Sequence, residues 1–202
     1  MGSSNNNFLI LSGAVLAVVL IGAGFYFLSA SAGPEDDRSK MTAFDILRTQ
    51  SLKSEGKCAF CGTLGTNHEH ADFKVYLNNE AINFNNPAYF VKSSYVHVES
   101  GENPAETGNV IHIHARNVPL WFFFESIGMS FKESCFGFNS QLYCSNSGNK
   151  LRLFVNGVEN SQLGNYVPKN LDKILVSYGE DSDIGEQLQS ITSYSARTAL
   201  GD

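Results

Sequence analysis

The chain has 202 residues, a length that suits one domain with appendages. Its formal net charge is −6, and no run of Lys or Arg occurs along it. A general nucleic-acid-binding surface shows a basic patch, so composition and charge argue against nucleic acid as a partner.

The first predicted element is an apolar stretch at 8–28. Ser12 and Tyr26 are its clearly polar side chains. About 20 apolar residues span the hydrocarbon core of a bilayer, whereas a buried core helix of this length would carry polar residues on one face. We therefore predict a short tail at 1–7 and one transmembrane helix at 8–30, with the lipid bilayer as its partner.

A cleaved signal peptide is the alternative for this stretch. Ala-Ser-Ala at 30–32 matches an A-x-A cleavage site. However, residues 1–7 contain no Lys or Arg, and the apolar run is longer than the usual core of a signal peptide. These two features favour a retained anchor.

Two features of the sequence disagree about the orientation of the anchor. Arg38 and Lys40 follow the apolar stretch, and basic flanks taken alone place the rest of the chain in the cytoplasm. The cysteine pattern described below favours an oxidising compartment instead. We predict a single-pass cell-membrane protein whose domain lies outside the cytoplasm.

A series of predicted strands follows a polar linker and short helix at 31–57. Three segments alternate apolar and polar side chains with period 2, the signal of a half-buried strand. These segments are 68–77, 95–99 and 111–114. The Asn78-Asn79 pair predicts a tight turn after the first segment, with a return strand at 81–84.

The middle of the chain predicts a helix and a loop. The helix starts at Pro119, because proline suits the first helical position, and it ends at Gly128. Its four adjacent aromatic residues, 121–124, cannot all face one core. Core packing is the favoured use of these aromatic residues, and some of them are expected to contact the bilayer or a partner protein instead. An irregular loop is expected at 134–150.

The last part of the chain predicts a hairpin, a strand and a helix. They are placed at 151–158, 174–178 and 184–196. Asn156-Gly157 predicts a type I′ turn in the hairpin, and Asp183 is a candidate cap for the helix. We expect a sheet-rich, metal-binding domain at 58–181 and a C-terminal helix or tail at 182–202.

The hairpin and final strand resemble the closing strands of a β-grasp domain of the sulfur-carrier, ubiquitin-like type. The resemblance rests on Leu-Arg-Leu-Phe-Val-Asn-Gly at 151–157 and Leu-Asp-Lys-Ile-Leu-Val at 171–176. It implies an α+β, β-grasp-like sheet domain and implies no chemistry. Together with the apolar stretch, it gives the expected fold: a β-grasp-like sheet domain behind one N-terminal transmembrane helix. The chain also resembles uncharacterised membrane-anchored proteins of archaea and uncultured bacteria with similar histidine pairs, which implies an anchored module.

The five histidines all lie between residues 68 and 114. Four of them form His-x-His pairs, and positions i and i+2 of a strand project to the same face about 6.5–7 Å apart. Imidazole nitrogens bind zinc, copper, iron and nickel, so each pair can converge on one ion. The predicted metal ligands are His68, His70, His112 and His114, with His97 as a supporting or fifth ligand.

The alternation of the strands places two carboxylates on the same polar face as the histidines. Asp72 and Glu99 are candidate extra ligands, or acceptors that fix the imidazole tautomers. An all-nitrogen ligand set in an oxidising compartment favours copper(II) or zinc. Two other interpretations stay open: an exposed polar face that uses histidine, and a pH-responsive interface, because histidine titrates near pH 6.5.

The four cysteines are candidates for disulfides. Cys58 and Cys61 form a C-x-x-C pair, and Cys135 and Cys144 lie nine positions apart, so local pairing is the simplest connectivity. A thioredoxin-type redox pair at the first two cysteines is one alternative. A zinc site built from all four is another, and it would require a reducing compartment.

The sequence predicts a membrane-anchored extracytoplasmic module that binds a transition metal through its His-x-His pairs. One alternative is a metal-dependent or thiol–disulfide oxidoreductase. Another is a structural or interaction protein of the cell surface, with a membrane or surface protein as partner. No Gly-rich phosphate loop, serine nucleophile elbow or paired-carboxylate arrangement is found, so no catalytic residue is assigned.

Overall fold

The computed structural model describes residues 58–101, 106–180 and 183–198. These residues belong to the second of two units into which the chain divides, Ala43–Asp202. The predicted tail, transmembrane helix, linker and short helix at 1–57 lie outside the described residues. Within the described ranges, no helix has the length and apolar character needed to cross a bilayer.

The described residues form ten strands, three short α-helices and two single-turn 3-10 helices, Pro87–Tyr89 and Leu163–Asn165. The strands are β1 (Glu69–Leu77), β2 (Glu80–Ala81), β3 (Val96–His97), β4 (Val110–Ile113), β5 (Ser130–Lys132), β6 (Cys135–Phe138), β7 (Gln141–Cys144), β8 (Lys150–Val155), β9 (Val158–Glu159) and β10 (Lys173–Gly179). The helices are α1 (Leu120–Ser126), α2 (Ile184–Gln189) and α3 (Ser195–Thr198). This sheet-dominated arrangement confirms the predicted α+β class.

A mixed sheet forms the centre of the domain. Its strand order is β3-β4-β1-β10-β8-β9, with β2 paired to the end of β1. β1 and β10 are parallel, and β4 and β8 pair antiparallel to them on either side. The predicted tight turns join β1 to β2 and β8 to β9, with positive φ at both turn residues of each as a type I′ turn requires.

One face of the sheet carries the main core. The alternation predicted for β1 is present: Ala71, Phe73, Val75 and Leu77 point into this core and are at most 6 % exposed. Alternate residues of β4, β8 and β10 add to the same layer. Because successive side chains of a strand point to opposite faces, the histidines must lie on the other face.

Helix α1 is buried on all sides. Trp121, Phe122, Phe123 and Phe124 are each no more than 1 % exposed, so the expectation that some of them meet a bilayer or a partner was wrong. Phe123 packs edge-on against Phe73 of the sheet, at a centroid distance of 5.5 Å. Other aromatic rings cover the remaining sides of the helix, and a helix that is apolar all round is stable only when layers cover it in this way.

The predicted irregular loop at 134–150 contains most of a second, three-stranded sheet, β5-β6-β7. Asn139 and Ser140 form the turn of its β6–β7 hairpin, both with positive φ. Cys135 and Cys144 lie directly opposite each other in the register of this hairpin and form a disulfide. The hairpin was not predicted from the sequence, because the two strands are short and the turn between them lacks the Asn-Gly signal.

The predicted C-terminal helix is divided into α2 and α3. Both helices lie against the sheet, through contacts of α2 with β10 and of α3 with β1. A small second core forms here around Phe154, Leu175 and Ile191. The C-terminal segment therefore covers part of the sheet face that also carries the histidines.

Candidate metal centre

Three adjacent strands position the histidines. His112 of β4 lies directly opposite His70 of β1 on one side and His97 of β3 on the other. Neighbouring strands are about 4.8 Å apart, so these three side chains form a row across the sheet. His68 lies two residues before His70, just ahead of β1, and His114 lies two residues after His112, just beyond β4, and their rings contact those of the row. The predicted adjacency of the two His-x-His strands is therefore present.

The five imidazole rings form a closed circuit of contacts. Their centroid distances are 4.7 Å for His68–His70, 4.6 Å for His70–His112, 5.6 Å for His97–His112, 4.9 Å for His97–His114 and 4.9 Å for His68–His114. Each ring thus touches two others. We call these five residues the histidine cluster.

Three members of the histidine cluster have the arrangement of metal ligands. One ring nitrogen from each of His68, His70 and His112 lies within 4.8 Å of the other two. His114 was predicted as the fourth ligand, and it stacks on His68 and on His97 outside this triad. His97 contacts the cluster from the β3 side.

The histidine cluster is more buried than an open polar face would be. His70 is only 2 % exposed, and the side chain of His112 is 12 % exposed, whereas His68 is exposed to solvent. The loop before β10 borders the cluster through the backbone of His70. Asn170 Oδ1 accepts a hydrogen bond from the His70 backbone N–H at 3.1 Å, and the Leu171 backbone N–H donates to the His70 carbonyl oxygen at 2.7 Å. An ion can therefore enter from the His68 side.

Burial and mutual repulsion lower the pKa of two rings of the cluster, His112 and His114. Burial lowers the pKa of His112 from 6.5 to about 3, with further contributions from the positive charges of protonated His70 and His97. Burial also lowers the pKa of His114, and His97 and His68 act in the same direction. A neutral imidazole has the lone pair that a metal ion needs, so protons compete weakly for His112 at neutral pH.

Glu99 is the acidic partner of the cluster. Its Oε2 lies 3.3 Å from His97 Nε2, and its Oε1 lies 3.7 Å from His112 Nε2. The other nitrogen of His97, Nδ1, is 2.9 Å from the Ser93 carbonyl oxygen. Sequence analysis identified Glu99 and missed Ser93, because a backbone carbonyl leaves no signal in the residue type.

Asp72 lies on the histidine face but binds the C-terminal segment. Its fully buried carboxylate accepts hydrogen bonds from Tyr194 N at 2.8 Å and from Ser195 N at 3.1 Å. The hydroxyls of Thr192 and Ser195 also donate to it. These four bonds satisfy the buried carboxylate. They also fasten the segment between α2 and α3 to β1, beside the histidine cluster.

Both disulfides have the predicted local connectivity, Cys58–Cys61 and Cys135–Cys144. This pairing confirms the simplest of the expected arrangements and leaves no thiolate for a four-cysteine zinc site. Cys58 is 6 % exposed and packs in the main core. Catalytic thiols need exposure and an electropositive environment, so this position suits a structural disulfide.

Acidification should destabilise the metal-free chain through His112. Its folded-state pKa lies below its unfolded value. The free energy of unfolding is therefore at its full value above pH 6.5 and decreases as the pH falls toward about 3, because the unfolded chain binds the His112 proton first. Each proton preferentially bound by the unfolded state costs about 1.4 kcal/mol per pH unit. Urea unfolding of the metal-free chain at several pH values in this window measures the slope. The His112→Gln variant should show a smaller slope, and an equal slope in both proteins would contradict the assignment.

Comparison with known proteins identifies no relative: no protein-family model, curated protein or solved structure matches the chain. What the histidine cluster can do follows from the chemistry of its own residues.

Proposed function

We propose that this chain is a membrane-anchored, extracytoplasmic module that binds a transition-metal ion through His68, His70 and His112. The observation that supports this most directly is the convergence of three ring nitrogens within 4.8 Å of one another. Ligands of one tetrahedral ion at about 2.0–2.1 Å lie about 3.3 Å apart. Small rotamer changes, above all in the exposed His68, bring the three nitrogens to that separation.

Zinc and copper(II) are the ions that this ligand set fits best. The triad offers imidazole nitrogen alone, which suits both metals. Thiolate ligands, which select softer ions, are absent from the described residues because all four cysteines are in disulfides. Three histidines leave one position of a tetrahedral ion for water or another ligand, on the solvent side of His68.

The proposed compartment is supported by the two disulfides. Structural disulfides persist in oxidising environments outside the cytoplasm. The apolar stretch at 8–28, which lies outside the described residues, supports attachment to a membrane on the argument of its length. Together these features favour a domain held at the outer surface of the membrane.

We also infer a β-grasp topology for the domain. The antiparallel pair β1 and β4 precedes α1, the strands β8 and β10 follow it, and β1 pairs in parallel with β10 at the centre. This order supports the relationship that the sequence suggested. It says nothing about function, because one topology serves many unrelated activities.

Metal analysis of the full chain tests the proposed function. The chain, purified in detergent without reductant, is dialysed against zinc or, separately, against copper(II) and then against metal-free buffer, and its bound metal is measured. We expect at least one ion per chain, and we expect a loss of at least one ion in the His68→Ala, His70→Ala double variant. A wild-type chain that retains no zinc and no copper would overturn the proposal.

A further inference from the structure

A carboxylate lies between two imidazoles at the β3 side of the histidine cluster. Glu99 reaches His97 Nε2 with one oxygen at 3.3 Å and His112 Nε2 with the other at 3.7 Å. The two imidazole side chains are only 9 % and 12 % exposed, whereas that of Glu99 is 41 % exposed. The three groups thus face one small space that opens toward solvent on the Glu99 side.

The tautomer of His97 determines what this space can hold. Nδ1 of His97 lies 2.9 Å from the Ser93 carbonyl oxygen, and a carbonyl can only accept, so Nδ1 carries the proton. In the neutral ring Nε2 then presents a lone pair to the Glu99 carboxylate, which is also an acceptor. Two acceptors at 3.3 Å need a cation between them, either a proton on Nε2 or a metal ion.

The two separations from Glu99 fit a metal ion, and the stacked His97 and His112 rings, whose centroids are 5.6 Å apart, would have to rotate to bring both Nε2 atoms to it. Zinc binds imidazole nitrogen and carboxylate oxygen at about 2.0–2.2 Å, so two ligands of one tetrahedral ion lie about 3.3–3.5 Å apart. The separations of 3.3 Å and 3.7 Å from the Glu99 oxygens lie close to that value. The backbone hydrogen bond of His97 also matches the second interaction that zinc-bound histidines make through their other nitrogen.

This space is distinct from the His68–His70–His112 triad. β3 and β1 lie on opposite sides of β4, so their backbones are about 9.6 Å apart. The nitrogens of one ion lie at most about 4.2 Å apart. His112 belongs to the central strand, and its Nε2 is the atom on the Glu99 side. A single ion would have difficulty binding His97 and Glu99 together with His68 and His70.

We propose that His97, Glu99 and His112 form a second zinc site, and that His112 bridges two zinc ions. The ion bound by His68 and His70 takes His112 Nδ1, and the second ion takes His112 Nε2. This inference rests on the proposed function, because the first ion is the one assigned there. His112 enters as a neutral imidazole, so binding both ions releases its remaining proton to solvent. The resulting imidazolate and Glu99 each place a negative charge beside the two cations.

Zinc stoichiometry tests the second site with a matched pair of variants. Glu99→Gln keeps the side-chain shape and removes the carboxylate that the second ion needs. Glu69→Gln removes the same charge from a residue between His68 and His70 that projects to the opposite face of β1. We expect two zinc ions per full-length wild-type chain, one in Glu99→Gln and two in Glu69→Gln. Far-UV circular dichroism checks that both variants are folded, as the 41 % exposure of Glu99 leads us to expect.

The possible results separate this inference from the proposed function. A wild-type chain with one zinc ion, lost in the His68→Ala, His70→Ala variant and unaffected by Glu99→Gln, keeps the proposed function and overturns the second site. That result would assign the His97–Glu99 contact to an imidazolium–carboxylate ion pair. Two ions in both wild type and Glu99→Gln also overturn the second site. A wild-type chain that binds no zinc overturns the second site, and one that binds neither zinc nor copper overturns both proposals.

Discussion

Replacing His112 and His114 together with alanine should abolish tight metal binding while leaving the domain folded. His112 is the central member of the histidine cluster, in ring contact with His70 and His97, and it supplies one nitrogen of the triad. Outer-shell partners of metal ligands contribute about 10–100-fold to affinity, so removal of a ligand should weaken binding by at least about 100-fold. Competition titration with a zinc chelator measures this loss.

The fold should tolerate this double substitution because both side chains point away from the main core. Ile111 and Ile113 alternate with them on β4 and supply the core contacts of that strand. The His114→Ala single variant is the matched control. It removes a ring outside the triad, so its loss of affinity should be much smaller. A double variant that is unfolded without metal would show that the histidines are structural, and unchanged binding would place the site elsewhere.

Replacing Asp72 with alanine should destabilise the domain by about 3 kcal/mol or more. The carboxylate is fully buried and accepts bonds from Thr192, Tyr194 and Ser195. Alanine would leave these donors without their acceptor, and each buried unsatisfied donor costs about 1–3 kcal/mol. Relaxation of the segment toward water recovers part of that cost. The midpoint and free energy of urea unfolding measure the effect.

The loss should be concentrated in the C-terminal segment. Limited proteolysis of Asp72→Ala should show new cleavage after 190, because the contacts between this segment and β1 depend on Asp72. Asp183→Ala is the control. Asp183 precedes α2 without a side-chain capping bond, so its replacement should change stability by less than about 0.5 kcal/mol. Equal stability of Asp72→Ala and wild type would show that the segment is held by the small core around Ile191 instead.

Local patterns predicted the parts of the centre that depend on one strand at a time. The alternation of β1 separates Ala71 and Phe73 from His70 because side chains on a strand have period 2. The turn at Asn156-Gly157 and the disulfide between Cys58 and Cys61 could also be predicted, because each involves residues that are close together in the sequence. Each of these features is fixed by backbone geometry over a few residues.

Contacts between distant segments could not be predicted in this way. Asp72 was identified as a partner of the histidines, and its hydrogen bonds go to residues more than 100 positions later in the chain. Core packing was favoured for the aromatic residues of α1, with some of them expected at the bilayer or a partner, and all four are buried because a second sheet from 130–144 contributes to their covering. Both outcomes depend on which distant segment packs over Asp72 or over α1, and the residue types at these positions do not specify that segment.

The sequence alone therefore determined that five histidines share one face of a sheet, since alternation decides the face of every strand residue. The tertiary structure decided which of them meet. It placed β4 between β3 and β1, and this order makes His112 the neighbour of both His70 and His97. It also placed Ser93 against Nδ1 of His97 and Glu99 against Nε2. Strand order and loop paths arise from burying the main core as a whole, so the direction in which each imidazole nitrogen points is a property of the folded chain.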